Sequence, residues 1–132
     1  MNKDKILKRC LWLVIFIFLA NLAAMSFYWY SSVWWLDMPM HFMGGVLLFN
    51  LFLFVFYDKF LMMPFYKKLL LSLSAVLVAG VGWEIFEILQ DRFITASSFN
   101  APDTFSDIFF DLFGGATAFL LFSIRYSRSE KI

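Results

Sequence analysis

Apolar residues run along this chain in four long blocks, about 11–30, 39–56, 69–89 and 105–124. Each approaches the roughly 20 residues that a helix needs to cross a bilayer. Connectors that are polar or aromatic separate them: SSVWWLD (31–37), YDKFLMMPFYKK (57–68) and QDRFITASSFNAPD (90–103). The pattern predicts an all-α fold, a four-helix transmembrane bundle forming a single integral membrane domain over residues 1–132. Pro39 suits the first turn of a helix, where its missing N–H costs nothing. Asp103 or Thr104 is the expected cap of the fourth helix. The basic head and apolar core of the first block look like a signal peptide. The apolar run nevertheless continues to Tyr30 and no A-x-A pattern closes it, so an uncleaved anchor is expected.

Composition strengthens this reading. Hydrophobic residues make up 62% of the 132 residues and charged ones 16%, against roughly 45–50% and about 25% in soluble domains. A soluble chain of this length has no means of hiding that much apolar surface, so the expected solvent is the lipid bilayer. A net charge of +1 argues against a nucleic-acid partner. Cys10, the single cysteine, has no internal disulfide partner and reads as an inert structural thiol.

Charge then orients the helices. With the N-terminus in the cytoplasm, the inner segments hold Lys3, Lys5, Lys8, Arg9, Lys59, Lys67, Lys68, Arg125, Arg128 and Lys131, and only Arg92 lies outside. The positive-inside rule therefore predicts cytoplasmic N- and C-termini in an inner-membrane, multi-pass protein. Tyr and Trp around 28–35 fit an outer interfacial belt, and Tyr57 and Tyr66 an inner one.

The acids follow the opposite distribution. Asp4, Asp58 and Glu130 sit among the inner bases, whereas Asp37, Glu84, Glu87, Asp91, Asp103, Asp107 and Asp111 collect in the outer half with His41, the only histidine. At about 1.5 Å rise per residue, Asp111 lies roughly 9 Å below the start of its span and Glu84 roughly 7 Å below the end of its own. Asp37 and His41 are one turn apart, as are Glu84 and Glu87, and Asp107 and Asp111, so each pair shares a helix face. Intramembrane ionisable groups face the bundle interior; three such faces at one depth predict one pocket on the extracytoplasmic side. The stretches DMPMHFMGG (37–45) and DIFFDLFGG (107–115) share D-x3-[HD]-x2-G-G, which suggests a parallel repeat of two helical hairpins. Gly44, Gly45, Gly114 and Gly115, with Gly80 and Gly82, are expected to let helices pack closely.

So many carboxyls in a low dielectric must either hold protons or hold a cation. Oxygen donors favour hard divalent ions, and the imidazole also admits Zn²⁺ or Fe²⁺. The expected metal ligands are His41, Glu84, Glu87, Asp107 and Asp111, with Asp37 beside them; Asp103, Asp91 and Arg92 are expected at the rim. Trp83 reads as an interface or core aromatic.

The D-x3-H of the second span, the WEIFEILQ segment (83–90) and the D-x3-[DN]-x2-G of the fourth resemble the VanZ-like superfamily of bacterial membrane proteins, and within it the YjdF-like relatives, which carry Asp at the position of Asp111. That resemblance spans about 37–115 and implies a small multi-span envelope protein; VanZ itself is linked to teicoplanin resistance. YjdF-like proteins tend to be longer, so this chain would be a minimal version. Three functions remain open. The first is a metal-dependent enzyme acting at the outer leaflet on a lipid-linked or cell-wall precursor, with His41 or Glu84 as general base. The second is a cation or proton transporter, whose through-route would need a larger oligomer, or a metal-binding accessory subunit. The third is a structural or partner-binding membrane protein.

Overall fold

A computed structural model describes residues 2–95 and 99–129. The helices are α1 (Lys3–Ser26), a short α2 (Trp29–Ser32), α3 (Asp37–Met62), α4 (Phe65–Gln90), a π-helical turn over Asp91–Thr95, and α5 (Ala101–Ser129). Four stretches are long and apolar enough to cross a membrane: Lys3–Ser26, Asp37–Met62, Phe65–Ile94 and Ala101–Ser127. The all-helical, four-span architecture expected from the hydropathy blocks is therefore present.

Helix boundaries differ from the apolar blocks because helices continue through polar turns that hydropathy excludes. The first helix begins at Lys3, with the Asn2 side chain accepting the Lys5 N–H at 3.1 Å, and ends before Tyr30. Tyr28 takes a left-handed conformation (φ 56°, ψ 32°) that breaks α1 from α2. Neither Asp103 nor Thr104 caps α5. The helix opens at Ala101, and the Thr104 N–H bonds back to the Asn100 carbonyl at 3.2 Å. Pro102 in the first turn needs no donor partner, and the Thr104 hydroxyl is left for another role. Of the residues counted in the charge asymmetry, Glu130 and Lys131 lie outside the described residues, as does the side chain of Arg128.

The bundle is organised by the pairing of α3 with α5; α1 packs on α3, and α4 packs on both α5 and α3. The hairpin pairs α1–α3 and α4–α5 follow the two-hairpin scheme, and the added α3–α4 contact departs from strict two-fold symmetry. Where α3 crosses α5, a methyl group on Gly45 would run into the Asp111 backbone, and one on Gly114 into the Phe42 backbone. Both repeated D-x3-[HD]-x2-G-G segments thus meet at one crossing. Gly115 lies against Val76 of α4, whereas Gly82 faces open space and does no close packing.

Below the crossing, toward the basic end, the core is built from Ile6, Cys10, Phe49, Leu53, Phe60, Val76, Ala118, Phe119 and Phe122. Its phenylalanines pack edge to face, Phe49 on Phe119 at 6.0 Å and Phe60 on Phe122 at 5.6 Å, the arrangement favoured by the ring quadrupole. Large apolar side chains such as Trp12, Phe18 and Val78 point outward, as expected where the solvent is hydrocarbon.

Gly45→Ala and Gly114→Ala are expected to lower the thermal unfolding midpoint in detergent, each costing about 1–3 kcal/mol or more by forcing α3 from α5. Gly82→Ala should leave the midpoint unchanged or raise it, since Ala is the better helix former. Equal melting of all three variants would contradict the crossing described.

Candidate metal centre

The close crossing of α3 and α5 sets one imidazole among several carboxylates. His41 projects from the second turn of α3, one turn below Asp37; Asp107 and Asp111 project from one face of α5. His41 Nε2 lies 3.7 Å from Asp37 Oδ1 and 3.9 Å from Asp107 Oδ1, and His41 Nδ1 lies 3.4 Å from Asp111 Oδ1. The two ring nitrogens therefore face different partners. Glu84 and Glu87 enter from α4. Donor atoms of Asp37, His41 and Asp107 lie within 4.8 Å of one another, and so do those of His41, Glu84 and Glu87. His41 belongs to both sets, which makes it the centre of the cluster.

Burial is deep for four of these groups. His41 is 7% exposed, Glu84 4%, Asp107 3% and Asp111 4%; Asp37 and Glu87 are half-buried. The Thr104 hydroxyl donates to the Glu84 carboxylate, and the Trp83 indole N–H donates to Glu87. Among the described residues Glu84 Oε1 has no hydrogen-bond partner. A buried carboxylate oxygen left bare costs on the order of 1–3 kcal/mol, a cost that a proton, a water or a cation would relieve.

Glycine also shapes the floor. A methyl group on Gly80 would stand 2.6 Å from Asp111 Oδ2, and one on Gly44 would stand 3.4 Å from Asp111 Oδ1. Asp111 is thus held between α3 and α4 in space that a side chain at position 80 would take.

Two openings reach the cluster. A cavity of about 430 Å³ lies over Glu84, Glu87 and Asp107, with Asp91, Arg92 and Asp103 along its wall, so all three expected rim residues border one mouth. A second, of about 460 Å³, passes sideways between α1, α3 and α4. It has Asp37, His41, Glu87 and Asp111 at its polar end and Val14, Ile17 and Leu47 at its apolar end.

Every residue expected at the site is gathered around these two openings. Asp111 differs from the other expected ligands in meeting Nδ1 of His41 rather than joining either compact donor set. Trp83 packs on Phe86 at 5.6 Å and borders the lateral groove. Two contributors were not legible as site residues. Thr104 looked like a cap, and its reach to Glu84 depends on α5 starting a turn earlier. Tyr30 looked like one of many belt aromatics; its hydroxyl donates to Asn21 Oδ1 at 2.7 Å, and it borders the groove. Burial pushes the Tyr30 phenol above its ordinary pKa, and the neighbouring Asp37 and Glu87 carboxylates push it the same way.

A family model described as "Predicted membrane protein (DUF2238)" matches residues 5–128, nearly the full chain. No curated protein matches the chain, and no solved structure matches it.

In chelator, Glu84→Gln is expected to melt above the unsubstituted protein, by about 1–3 kcal/mol of stability, because it removes a buried charge without a cation while keeping an acceptor for Thr104. Differential scanning fluorimetry in EDTA checks this. A lower midpoint for Glu84→Gln would mean that the carboxylate is structural glue.

Proposed function

Starting from the fact that this chain belongs to the DUF2238 family of predicted membrane proteins, we propose that it is a membrane enzyme that uses a divalent cation at its acidic end to act on a lipid-linked, cell-envelope substrate. The observation that carries the reading is Glu84, whose buried Oε1 has no hydrogen-bond partner among the described residues and whose carboxylate stands with His41 and Glu87 in one compact donor set. Carboxylates with a single histidine suit Mg²⁺, Mn²⁺, Zn²⁺ or Fe²⁺.

In this reading His41 Nε2, Glu84, Glu87 and Asp107 are the ligands, with Asp37 at the open side. Asp111 acts as a positioning residue: its carboxylate accepts from His41 Nδ1–H, which fixes the tautomer that presents Nε2 as a lone-pair donor. Thr104 holds one part of the Glu84 carboxylate so that Oε1 stays free. A bound cation supplies Lewis acidity toward a phosphate or carbonyl oxygen and offsets the local excess of negative charge. That offset is needed because, among the described residues, Arg92 is the one cation along the mouth. Asp37 and Glu87, the less buried acids, are the groups best placed to take and return a proton to the aqueous mouth.

Substrate class follows from the two openings. The mouth is polar, whereas the lateral groove joins the same acids to apolar walls. A substrate with a polar headgroup and a hydrocarbon chain fits that combination. The motif resemblance to VanZ-like proteins supports a cell-envelope setting, and the basic residues at the other end of the bundle support cytoplasmic termini and an extracytoplasmic site.

Transport has less support. Toward the basic end, the buried polar residues among those described are Asn50 and Ser72, and each bonds back to a carbonyl of its own helix, at 2.7 Å to Val46 and 2.7 Å to Lys68. Among the described residues no buried carboxylate or imidazole stands beside them.

Protein purified without chelator is expected to carry about one divalent metal per chain by elemental analysis, with the metal lost in Glu84→Gln and Asp107→Asn. Asp111→Asn should keep part of the metal with weaker retention, by about 10–100-fold in affinity. Metal-replete protein in bilayers of bacterial polar lipids should alter a lipid headgroup in a way that mass spectrometry detects, and His41→Ala should not. Metal-free protein from metal-supplemented cells, or equal lipid profiles for the two proteins, would overturn the proposal.

A further inference from the structure

A second site lies at the opposite end of the bundle. The α1 helix rests on α3 and leaves a crevice toward α5. Its volume is about 550 Å³, and its walls are apolar, including Leu13, Phe16 and Leu121. Beside its basic end stands a smaller cavity of about 210 Å³, bordered by Lys5, Arg9 and Arg125. Arg9, Arg125 and Phe122 border both cavities, so the two are neighbours across shared side chains.

Three facts identify what such a shape holds. First, among the described residues no carboxylate pairs with Lys5, Arg9 or Arg125. These three cations converge on a cavity of headgroup size. Second, the apolar part has the length of a lipid chain in one leaflet. From Thr117 to Arg125 on α5 is eight residue steps, roughly 12 Å at about 1.5 Å each, against about 15 Å for half of a hydrocarbon core. Third, the walls are built to stay apart. Ala118 is small, and the two uncharged polar side chains on the walls each donate within their own helix, the Thr117 hydroxyl to the Phe113 carbonyl at 2.8 Å and the Asn50 amide to the Val46 carbonyl at 2.7 Å. A hydrocarbon chain can lie beside them.

We propose that the α1–α5 crevice binds one anionic phospholipid from the leaflet at the basic end of the bundle, its phosphate held by Lys5, Arg9 and Arg125 and one acyl chain lying in the crevice. Basic pockets between transmembrane helices are suited to anionic headgroups, each Lys or Arg near the surface contributing about 1 kcal/mol. The lipid would also fill the gap that α1 leaves, securing the least packed helix against α5. The site shares no residue with the acidic cluster and does not depend on the function proposed for it.

Native mass spectrometry of the full chain, released from detergent after incubation with equal amounts of phosphatidylglycerol and phosphatidylethanolamine, tests this. The protein is expected to retain one phosphatidylglycerol in preference to phosphatidylethanolamine, with or without EDTA. Arg9→Gln/Arg125→Gln should reduce retention by roughly tenfold or more, and Thr117→Phe, which leaves every charge in place and fills the crevice, should reduce it as well. These two variants approach the site from different ends, so misfolding of one leaves the other decisive. Lys59→Gln/Lys67→Gln removes the same charge away from the crevice and should retain the lipid. Equal loss in that control, or full retention in Thr117→Phe, would overturn the proposal in favour of general surface charge. A dimer that forms in place of the lipid adduct and dissociates in Thr117→Phe would overturn it in favour of a second copy.

Discussion

The contact between the backbones of α3 and α5 is the constraint on which the rest of the molecule depends. Gly45 faces the Asp111 backbone and Gly114 faces the Phe42 backbone, with no side chain between them. Without that approach, His41 would stand a further side-chain diameter from Asp107 and Asp111, beyond any shared ligand. The missing Cβ atoms therefore have two effects. They allow van der Waals packing in lipid, where no hydrophobic drive brings helices together, and they bring ionisable groups of two helices to within 4 Å.

That arrangement has an electrostatic consequence. Three nearly buried carboxyl groups surround one buried imidazole, and a single imidazolium does not balance them. Taking a carboxylate out of water carries a desolvation cost that a proton or a cation offsets. The bare oxygen of Glu84 is where this imbalance becomes visible as geometry rather than charge. Divalent coordination, as proposed, would relieve both defects at once, supplying charge and a partner. The surrounding contacts are compatible with that proposal: Thr104 bonds Glu84, Trp83 bonds Glu87, and Asp111 stands 3.4 Å from His41 Nδ1.

Much of this was legible in the sequence because bilayers impose simple rules. Hydrophobic length fixed the number of spans, and one-turn spacing of Asp37 and His41, Glu84 and Glu87, and Asp107 and Asp111 placed each pair on a face. The paired glycines of the repeat pointed to close helix packing, and Gly45 and Gly114 provide it where α3 meets α5. What spacing leaves open is rotation about each helix axis and exact helix ends. Asp111 sits at the same spacing as a ligand yet meets the other ring nitrogen of His41, a distinction set by how α5 is rotated. Thr104 was assigned to a cap because Pro102 was read as loop, whereas it occupies the first turn of α5. Gly82 was grouped with Gly80, yet two residues on a helix are about 200° apart, so only Gly80 meets Asp111. The crevice between α1 and α5 had no sequence signal, since it arises from which helices fail to touch.

The most direct test of the central claim is anomalous diffraction from crystals of the protein soaked in Mn²⁺. The account predicts one strong difference peak within coordination distance of His41 Nε2 and Glu84 Oε1, absent in crystals of Glu84→Gln soaked in the same way. A map with no peak among these side chains, or a peak bound only by the exposed Asp91 and Asp103 at the mouth, would contradict it.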